Sequence, residues 1–171
     1  MMLAPARRIE VSVSCIVLNR ALSCSWYRRD CCSIPRPNAQ IVADFYNALS
    51  GADPDAVAAA IDAHFAEDAA IEWPPSLPHG GRVEGSRRLR GLFTGIAKAG
   101  NQAGATNLKL VRTIGDGDHV VAWITFDWKN PGSDDAVPNS ALEVWSFADG
   151  LVREIRAFYW DSAAISQPQN V

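Results

Sequence analysis

Glu143 combines an acidic side chain with a strongly apolar neighbourhood. It lies in the predicted strand 141–147, where a period of two places Glu143, Trp145 and Phe147 on one face. If that aromatic face points into a core, burial raises the pKa of the carboxyl and suits it to general acid or base catalysis. The alternative is a solvated carboxylate, or an ion pair with an arginine of the following strand. The pattern leaves both interpretations open.

A second carboxyl, Asp127, shares one face of the predicted strand 119–128 with Trp123. Asp127 could serve as a base while the indole of Trp123 lines a ligand cavity. The alternative is a carboxylate that is hydrated at the end of a strand, as most acidic side chains are.

Three further residues could add polar groups to the same cavity. His79 lies in a Pro-His-Gly-Gly segment, and the ordinary pKa of histidine suits proton transfer near neutral pH. An exposed loop histidine is the alternative. Asp161 follows Tyr159 by two residues at the end of the last strand, so both share one face. They would stand at a cavity mouth, or Asp161 would cap a turn or a helix.

No metal or cofactor motif is visible in the sequence. The four cysteines all lie in the first 32 residues without a Cys-x-x-Cys pair, and the three histidines are scattered. The glycine pairs fit turns, whereas a phosphate-binding loop would follow a strand and open a helix. We therefore expect neither a metal ion nor an organic cofactor.

Composition argues against several classes of partner. The 16 basic and 19 acidic residues give a formal net charge of -3, which provides no basic surface for nucleic acid. The apolar run 11–18 is too short for a membrane helix. A main domain without cysteine fits a reducing cytoplasm, which is the compartment we expect.

The 171 residues predict one domain with a surplus at each end. Residues 1–37 carry six arginines and only two acids, which indicates a disordered extension or an overlong start. Residues 38–161 form the predicted domain, and residues 162–171 a flexible tail.

Helical periodicity predicts three helices, with Asn38, Asp53 and Ser86 as their N-caps. Alternating patterns and turn residues predict five strands, at 69–73, 108–114, 119–128, 140–147 and 151–160. Helices therefore precede an antiparallel meander. This order predicts an α+β fold with the helices packed on one face of the sheet.

Four segments, in this order, resemble the nuclear-transport-factor-2-like (NTF2-like) superfamily, and within it the SnoaL-like polyketide cyclase and ketosteroid isomerase branch. They are residues 45–49 (FYNAL), 64–74 (HFAEDAAIEWP), 143–152 (EVWSFADGLV) and 155–161 (IRAFYWD). The resemblance covers residues 38–161. It implies a cystatin-like cone, in which three N-terminal helices pack on a curved antiparallel sheet around an apolar cavity. It also implies a homodimer formed through the outer face of the sheet.

The resemblance further implies roles for single residues. Isomerases of this branch use a carboxylate base, together with a tyrosine and a protonated acid that stabilise an enolate oxygen. The base position falls at Trp73, and the tyrosine position falls at Phe45, with Tyr46 adjacent. Glu143 matches the second acid in kind. Steroid isomerisation by the standard route is therefore not expected.

Three functional hypotheses remain open. The first is a cofactor-independent isomerase, cyclase or hydrolase that acts on a small apolar carbonyl compound or epoxide, with Glu143 or Asp127 transferring the proton. The second is a module that binds a small molecule without chemistry, and the third is a dimeric interaction domain with a filled cone. Substrate contacts are expected from Tyr46, Trp73, His79, Trp123, Trp145, Tyr159 and Asp161.

Overall fold

The structure is a computed structural model that describes residues 37–100, 104–115, 117–130 and 135–166. Its elements, in chain order, are α1 (Asn38–Ser50), α2 (Pro54–His64), β1 (Phe65–Trp73), β2 (Gly81–Glu84), α3 (Ser86–Ala99), β3 (Gly104–Ile114), β4 (His119–Lys129), β5 (Ala136–Ala148), β6 (Leu151–Tyr159) and α4 (Ser162–Ser166). The extension expected before Pro37 lies outside the described residues. The α+β class predicted from the order of elements is confirmed.

The start of α2 follows from its sequence. Oδ1 of Asp53 accepts hydrogen bonds from the backbone N–H groups of Asp55 and Ala56, at 3.1 and 2.9 Å. Pro54 occupies the first turn, where its missing N–H would have had no partner. The predicted cap is therefore present.

The other two predicted N-caps, Asn38 and Ser86, do not cap their helices. α1 is preceded by Pro37, and the side chain of Asn38 donates instead to the backbone carbonyl of Gly117. α3 is preceded by Gly85, whose φ of 100° is a conformation that glycine adopts without strain. Ser86 makes no capping hydrogen bond because it already lies inside the helix.

The six strands form one sheet in the order β2-β1-β6-β5-β4-β3. Neighbouring strands are antiparallel as predicted, except that β1 runs parallel to β6. β2, α3 and the strands β3 to β5 lie between the two members of this parallel pair along the chain. The register shifts in three of the strand pairs, and such irregularities bend a sheet.

The concave side of the sheet packs on α1, α2 and α3. Phe45 of α1 lies at the centre of this core, with edge-on ring contacts to Phe93 of α3 at 5.0 Å and to Trp145 of β5 at 5.2 Å. Burial alternates along β4 and β5, so one face of each strand is interior and the other is not. Every second side chain of these strands therefore lines the interior of the cone.

Ordered structure continues beyond the last strand. The expectation of a flexible tail at residues 162–171 does not hold for Ser162–Ser166, which form α4. Ile165 is buried, and Oγ of Ser166 donates to the backbone carbonyl of Ser76 at 2.7 Å. Among the described residues, no helix is both long and apolar enough to cross a membrane.

The loop between β1 and β2, which carries His79, is tightly folded. The N–H of Leu77 donates to the carbonyl of Pro74 at 3.1 Å, and the N–H of Gly80 donates to the carbonyl of Leu77 at 2.8 Å. A Cβ atom added at Gly80 would lie 2.3 Å from the Pro74 carbonyl oxygen. Glycine is therefore required beside His79 to keep the loop in this form.

We predict that Gly80→Ala destabilises the protein by about 1–3 kcal/mol, because the new methyl group would overlap backbone atoms. Gly91→Ala, inside α3, is the matched control. A Cβ there meets nothing within 4 Å, and alanine favours a helix over glycine by about 0.5–1 kcal/mol. Urea unfolding of both variants measures the difference, and equal stabilities would contradict the loop geometry.

Candidate functional site

Glu143 lies on the interior face of β5. The sequence left open which face of this strand points inward. Its side chain is 7% exposed, and Trp145 and Phe147 on the same face are also buried. In the sheet register Glu143 stands opposite Ala122 of β4 and Ala157 of β6. Both of these neighbours end in a methyl group, so neither residue directly opposite Glu143 is a polar partner for the carboxyl.

The arginines considered as partners of Glu143 pair with other acids. Arg156 forms an ion pair with Glu72 at 3.0 Å, and Arg153 forms one with Asp68 at 2.8 Å. Their side chains are substantially exposed, so these pairs contribute little to stability. The carboxyl of Glu143 is therefore not neutralised by either arginine.

Tyr46 provides the hydrogen bond that the carboxyl receives. It lies on α1, is 2% exposed, and its hydroxyl donates to Oε2 of Glu143. Phe45 packs edge-on against Tyr46 at 5.6 Å and helps to hold it in place. The resemblance placed the functional tyrosine one position earlier, and the helix instead presents its neighbour to the carboxyl.

Burial raises the pKa of Glu143 to about 7, and the hydrogen bond from Tyr46 opposes this rise only in part. Burial also raises the pKa of the Tyr46 hydroxyl, and the negative charge of Glu143 raises it further. Tyr46 therefore keeps its proton at neutral pH, whereas Glu143 is present both as acid and as carboxylate. Such a group can accept a proton and return it.

Four residues, His79, Trp73, Trp128 and Tyr159, form what we call the aromatic cluster. The imidazole of His79 stacks on Trp128 with ring centroids 4.8 Å apart, and Trp73 meets it edge-on at 5.5 Å. The hydroxyl oxygen of Tyr159 lies 3.4 Å from Nε2 of His79. The loop histidine is therefore packed among rings and is not simply exposed.

Tyr159 connects the aromatic cluster to Glu143. It stands opposite Ala141, two residues before Glu143 on the same face, so the two side chains are diagonal neighbours. Burial raises the pKa of Tyr159, and the charge of Glu143 raises it further. Burial lowers the pKa of His79, which is therefore neutral at neutral pH. Glu143 is the member of this group that changes charge near pH 7.

Asp127 and Trp123 do not join this site. β4 buries Ala122 and Phe126 and turns its other face outward, where Trp123 is 41% exposed. Asp127 accepts a hydrogen bond from the side-chain nitrogen of Asn107 at 2.7 Å. Because side chains alternate along a strand, these two residues cannot share an interior with Ala122. The expectation that Asp127 is a second base and that Trp123 lines the cavity is corrected accordingly.

Asp161 is also placed elsewhere. Its Oδ1 accepts a hydrogen bond from the N–H of Ala164 at 2.9 Å, which caps the short helix α4. The side-chain nitrogen of Asn139 donates to its backbone carbonyl at 2.7 Å. Of the two roles considered for Asp161, the structure shows the cap. Its strand neighbour Tyr159 is the residue that reaches the interior.

Trp128 joins the candidate site although the sequence did not single it out. It has the parity of Ala122 and Phe126, and Phe126 packs edge-on against Tyr159 at 5.5 Å. The sequence did contain the signal. The even positions of β4 from Val120 to Trp128 are all apolar, whereas the odd positions include a threonine and Asp127.

Two polar atoms of the site lack a hydrogen-bond partner among the described residues, Nδ1 of His79 and Nε1 of Trp145. The Trp145 indole is close enough to Tyr46 to lower the pKa of that hydroxyl without forming a hydrogen bond of ordinary geometry. A buried polar group left unpaired costs about 1–3 kcal/mol, so each such atom needs an explanation. Within the described ranges, no three His, Cys, Asp or Glu side chains converge in a way that could hold a metal ion.

The family model described as a SnoaL-like domain matches residues 42–155 of this chain. The match includes Tyr46, Trp73, His79 and Glu143 and ends before Tyr159. No protein with a curated description matches the chain.

Solved structures with the same fold are numerous. An NTF2-like protein from Burkholderia thailandensis has a TM-score of 0.62 and 23% identity, covering 78% of this chain and 99% of its own. A putative SnoaL-like polyketide cyclase from Jannaschia sp. has a TM-score of 0.59 and 20% identity, covering 82% and 99%. An LEH-like epoxide hydrolase from M. tuberculosis has a TM-score of 0.52 and 23% identity, covering 71% and 81%. At these identities the likeness shows the fold alone.

The raised pKa of Glu143 predicts a pH-dependent stability. The folded protein holds this proton up to about pH 7, whereas an unfolded glutamate releases it near 4.5. The stability that Glu143 contributes is therefore fully present below pH 4.5 and is lost as the pH rises toward 7, by roughly 3 kcal/mol. Glu143→Gln lacks this group, so the difference in unfolding free energy between wild type and variant should change by that amount over this pH range. Urea unfolding from pH 4 to 8 measures this difference, and a constant difference would contradict the burial of the Glu143 carboxyl.

Proposed function

The chain belongs to the SnoaL-like domain family, and on that basis we propose that it encloses a small, largely apolar molecule and transfers a proton on it through Glu143. The observation that carries the proposal is the buried carboxyl of Glu143, which has Tyr46 as its hydrogen-bond donor and alanines on both neighbouring strands. Its pKa of about 7 gives useful amounts of both protonation states at neutral pH.

The reaction class that fits this geometry is proton transfer beside a carbonyl group, as in an isomerisation or a ring closure. The Glu143 carboxylate would take a proton from the carbon next to the carbonyl, and the electron pair would move onto the carbonyl oxygen as an enolate. The Glu143 carboxylic acid would then return the proton to another carbon. The site stays apolar throughout, which strengthens electrostatic interactions inside it.

The other solved structures bear on the range of chemistry. One similar structure is a putative SnoaL-like polyketide cyclase and another is an LEH-like epoxide hydrolase. These two descriptions apply to those proteins. For this chain, proton transfer by one carboxyl agrees better with a carbonyl substrate than with an epoxide. An Asp-Arg-Asp set is not placed by the sequence, and Asp127 lies on the outer face.

A second candidate function is binding without chemistry. The observation that favours it is Trp73, a member of the aromatic cluster, which occupies the position where the resemblance expects a carboxylate base. In that case Glu143 and Tyr46 would fix the orientation of a ligand. The two functions differ in whether bound molecules exchange a carbon-bound proton.

We predict that the protein catalyses deuterium incorporation next to the carbonyl of cyclic ketones in D2O, and that Glu143→Gln slows it by about 100-fold or more. Glu67→Gln is the control, because Glu67 is an exposed acid of β1. Mass spectrometry follows the exchange. Ketone binding without any enzyme-dependent exchange would favour the binding module, and equal rates in both variants would remove Glu143 from the mechanism.

We also propose that the outer face of the sheet joins two copies of this chain. Trp123, Leu142 and Phe158 stand side by side on three adjacent strands and are 41%, 44% and 53% exposed. With the 87% exposed Trp160 they line an apolar groove of about 470 Å³. An apolar surface of this kind marks an interaction site.

The charges beside this groove favour a second copy as the occupant. The outer face of β2, β1 and β6 carries both signs close together, with Arg82 and Arg156 bound to Glu72 and Glu154. A surface with both signs around an apolar centre can complement itself across a two-fold axis. A strongly basic or acidic partner would need a surface of the opposite charge, and this surface carries both signs.

We predict that wild type sediments as a dimer at micromolar concentration and that Phe158→Arg sediments as a monomer, because it places an unpaired charge in the buried centre. Ala59→Arg on the exposed side of α2 is the control and should stay dimeric. A wild type that is monomeric in analytical ultracentrifugation, or a dimeric Phe158→Arg, would contradict the proposal.

A further inference from the structure

His79 has two ring nitrogens in different situations. Nε2 lies 3.4 Å from the hydroxyl oxygen of Tyr159. Nδ1 is buried and has no hydrogen-bond partner among the described residues. The ring cannot turn freely to correct this, because Trp128 stacks on one face at 4.8 Å and Trp73 meets it edge-on at 5.5 Å. The unpaired nitrogen is thus held in a fixed direction.

The hydrogen bond with Tyr159 determines which nitrogen carries the proton. The Tyr159 hydroxyl is protonated at neutral pH, since burial and the charge of Glu143 both raise its pKa. The indole of Trp73 is near enough to the Tyr159 oxygen to lower the pKa of that hydroxyl in part. The hydroxyl lies within reach of Nε2 and can donate its own proton to that nitrogen. A neutral imidazole that accepts at Nε2 carries its hydrogen on Nδ1.

We propose that the Nδ1–H group of His79 donates a hydrogen bond to the carbonyl oxygen of an uncharged, flat ketone held against the aromatic cluster. The inference deepens the proposed function and relies on it for a ligand inside the cone. A buried N–H without an acceptor calls for an oxygen from the ligand. The carboxylate of Glu143, the diagonal neighbour of Tyr159, would repel an anion. A neutral carbonyl compound therefore fits better than a carboxylate or a phosphate.

The first test needs no ligand. Proton-nitrogen correlation NMR of imidazole nitrogens distinguishes a hydrogen on Nδ1 from one on Nε2, and His79→Asn assigns the signals of His79. We expect the Nδ1–H form at pH 7.5 in wild type, and loss of that preference in Tyr159→Phe, which cannot donate. A wild-type His79 with its hydrogen on Nε2 would overturn the proposal.

The second test compares two molecules of nearly the same shape, 9-fluorenone and fluorene, of which only the first has a carbonyl oxygen. Wild type should bind fluorenone about tenfold more tightly than fluorene in a fluorescence titration. His79→Phe keeps the ring stacking but has no donor, so its preference should vanish. His79→Asn keeps an N–H group near the position of Nδ1 and should retain part of it. No preference in wild type, or an unchanged preference in His79→Phe, overturns the proposal.

Glu143→Gln separates this inference from the proposed function. If the variant keeps the preference for fluorenone while wild type catalyses no exchange of carbon-bound protons, the proposed chemistry fails and His79 remains a ligand-binding residue. If exchange depends on Glu143 while fluorenone and fluorene bind equally, the chemistry stands and the assignment of His79 fails. Thermal unfolding of each variant shows whether it is folded before these comparisons are made.

Discussion

Placing one carboxyl on the interior face of a sheet is the constraint that organises this protein. An ionised carboxylate in an apolar interior is strongly disfavoured unless it is paired or hydrogen-bonded. Among the residues that the structure describes, it receives one hydrogen bond, from Tyr46, and it pairs with neither Arg153 nor Arg156. Burial therefore raises the pKa of the carboxyl to about 7. Its environment raises its pKa without the help of another charge.

The fold maintains that environment through the division of the sheet into two faces. The interior face carries Glu143 and the aromatic cluster, whereas the outer face carries the ion pairs of Arg82 and Arg156 and the apolar groove beside Trp160. Alternation along each strand keeps the two sets apart. The helix α1 completes the interior by bringing Tyr46 to the carboxyl. The proposed ligand and the proposed second copy would therefore contact opposite faces of the same sheet.

The sequence predicted the elements better than their relations in space. Helical spacing and turn residues identified three helices and five strands but not α4, and the cap at Asp53 is present as predicted. The parity of β4 was misjudged because both of its faces contain a tryptophan, so Trp123 and Asp127 were placed inside and Trp128 was overlooked. The parallel pairing of β1 with β6 depends on contacts between distant parts of the chain, which local patterns do not encode. The same holds for the hydrogen bond of Tyr46 with Glu143, two residues separated by 97 positions.

The central claim is that Glu143 exchanges its proton near neutral pH inside the cone. Carbon-13 NMR of the glutamate carboxyl groups across a pH titration tests it most directly, with Glu143→Gln to assign the signal. The account predicts one carboxyl that titrates near pH 7 and moves to a higher pKa in Tyr46→Phe, because the hydrogen bond that favours the charged form is lost. A Glu143 signal that titrates near 4.5 in wild type would contradict the account, since it would show a carboxyl open to water.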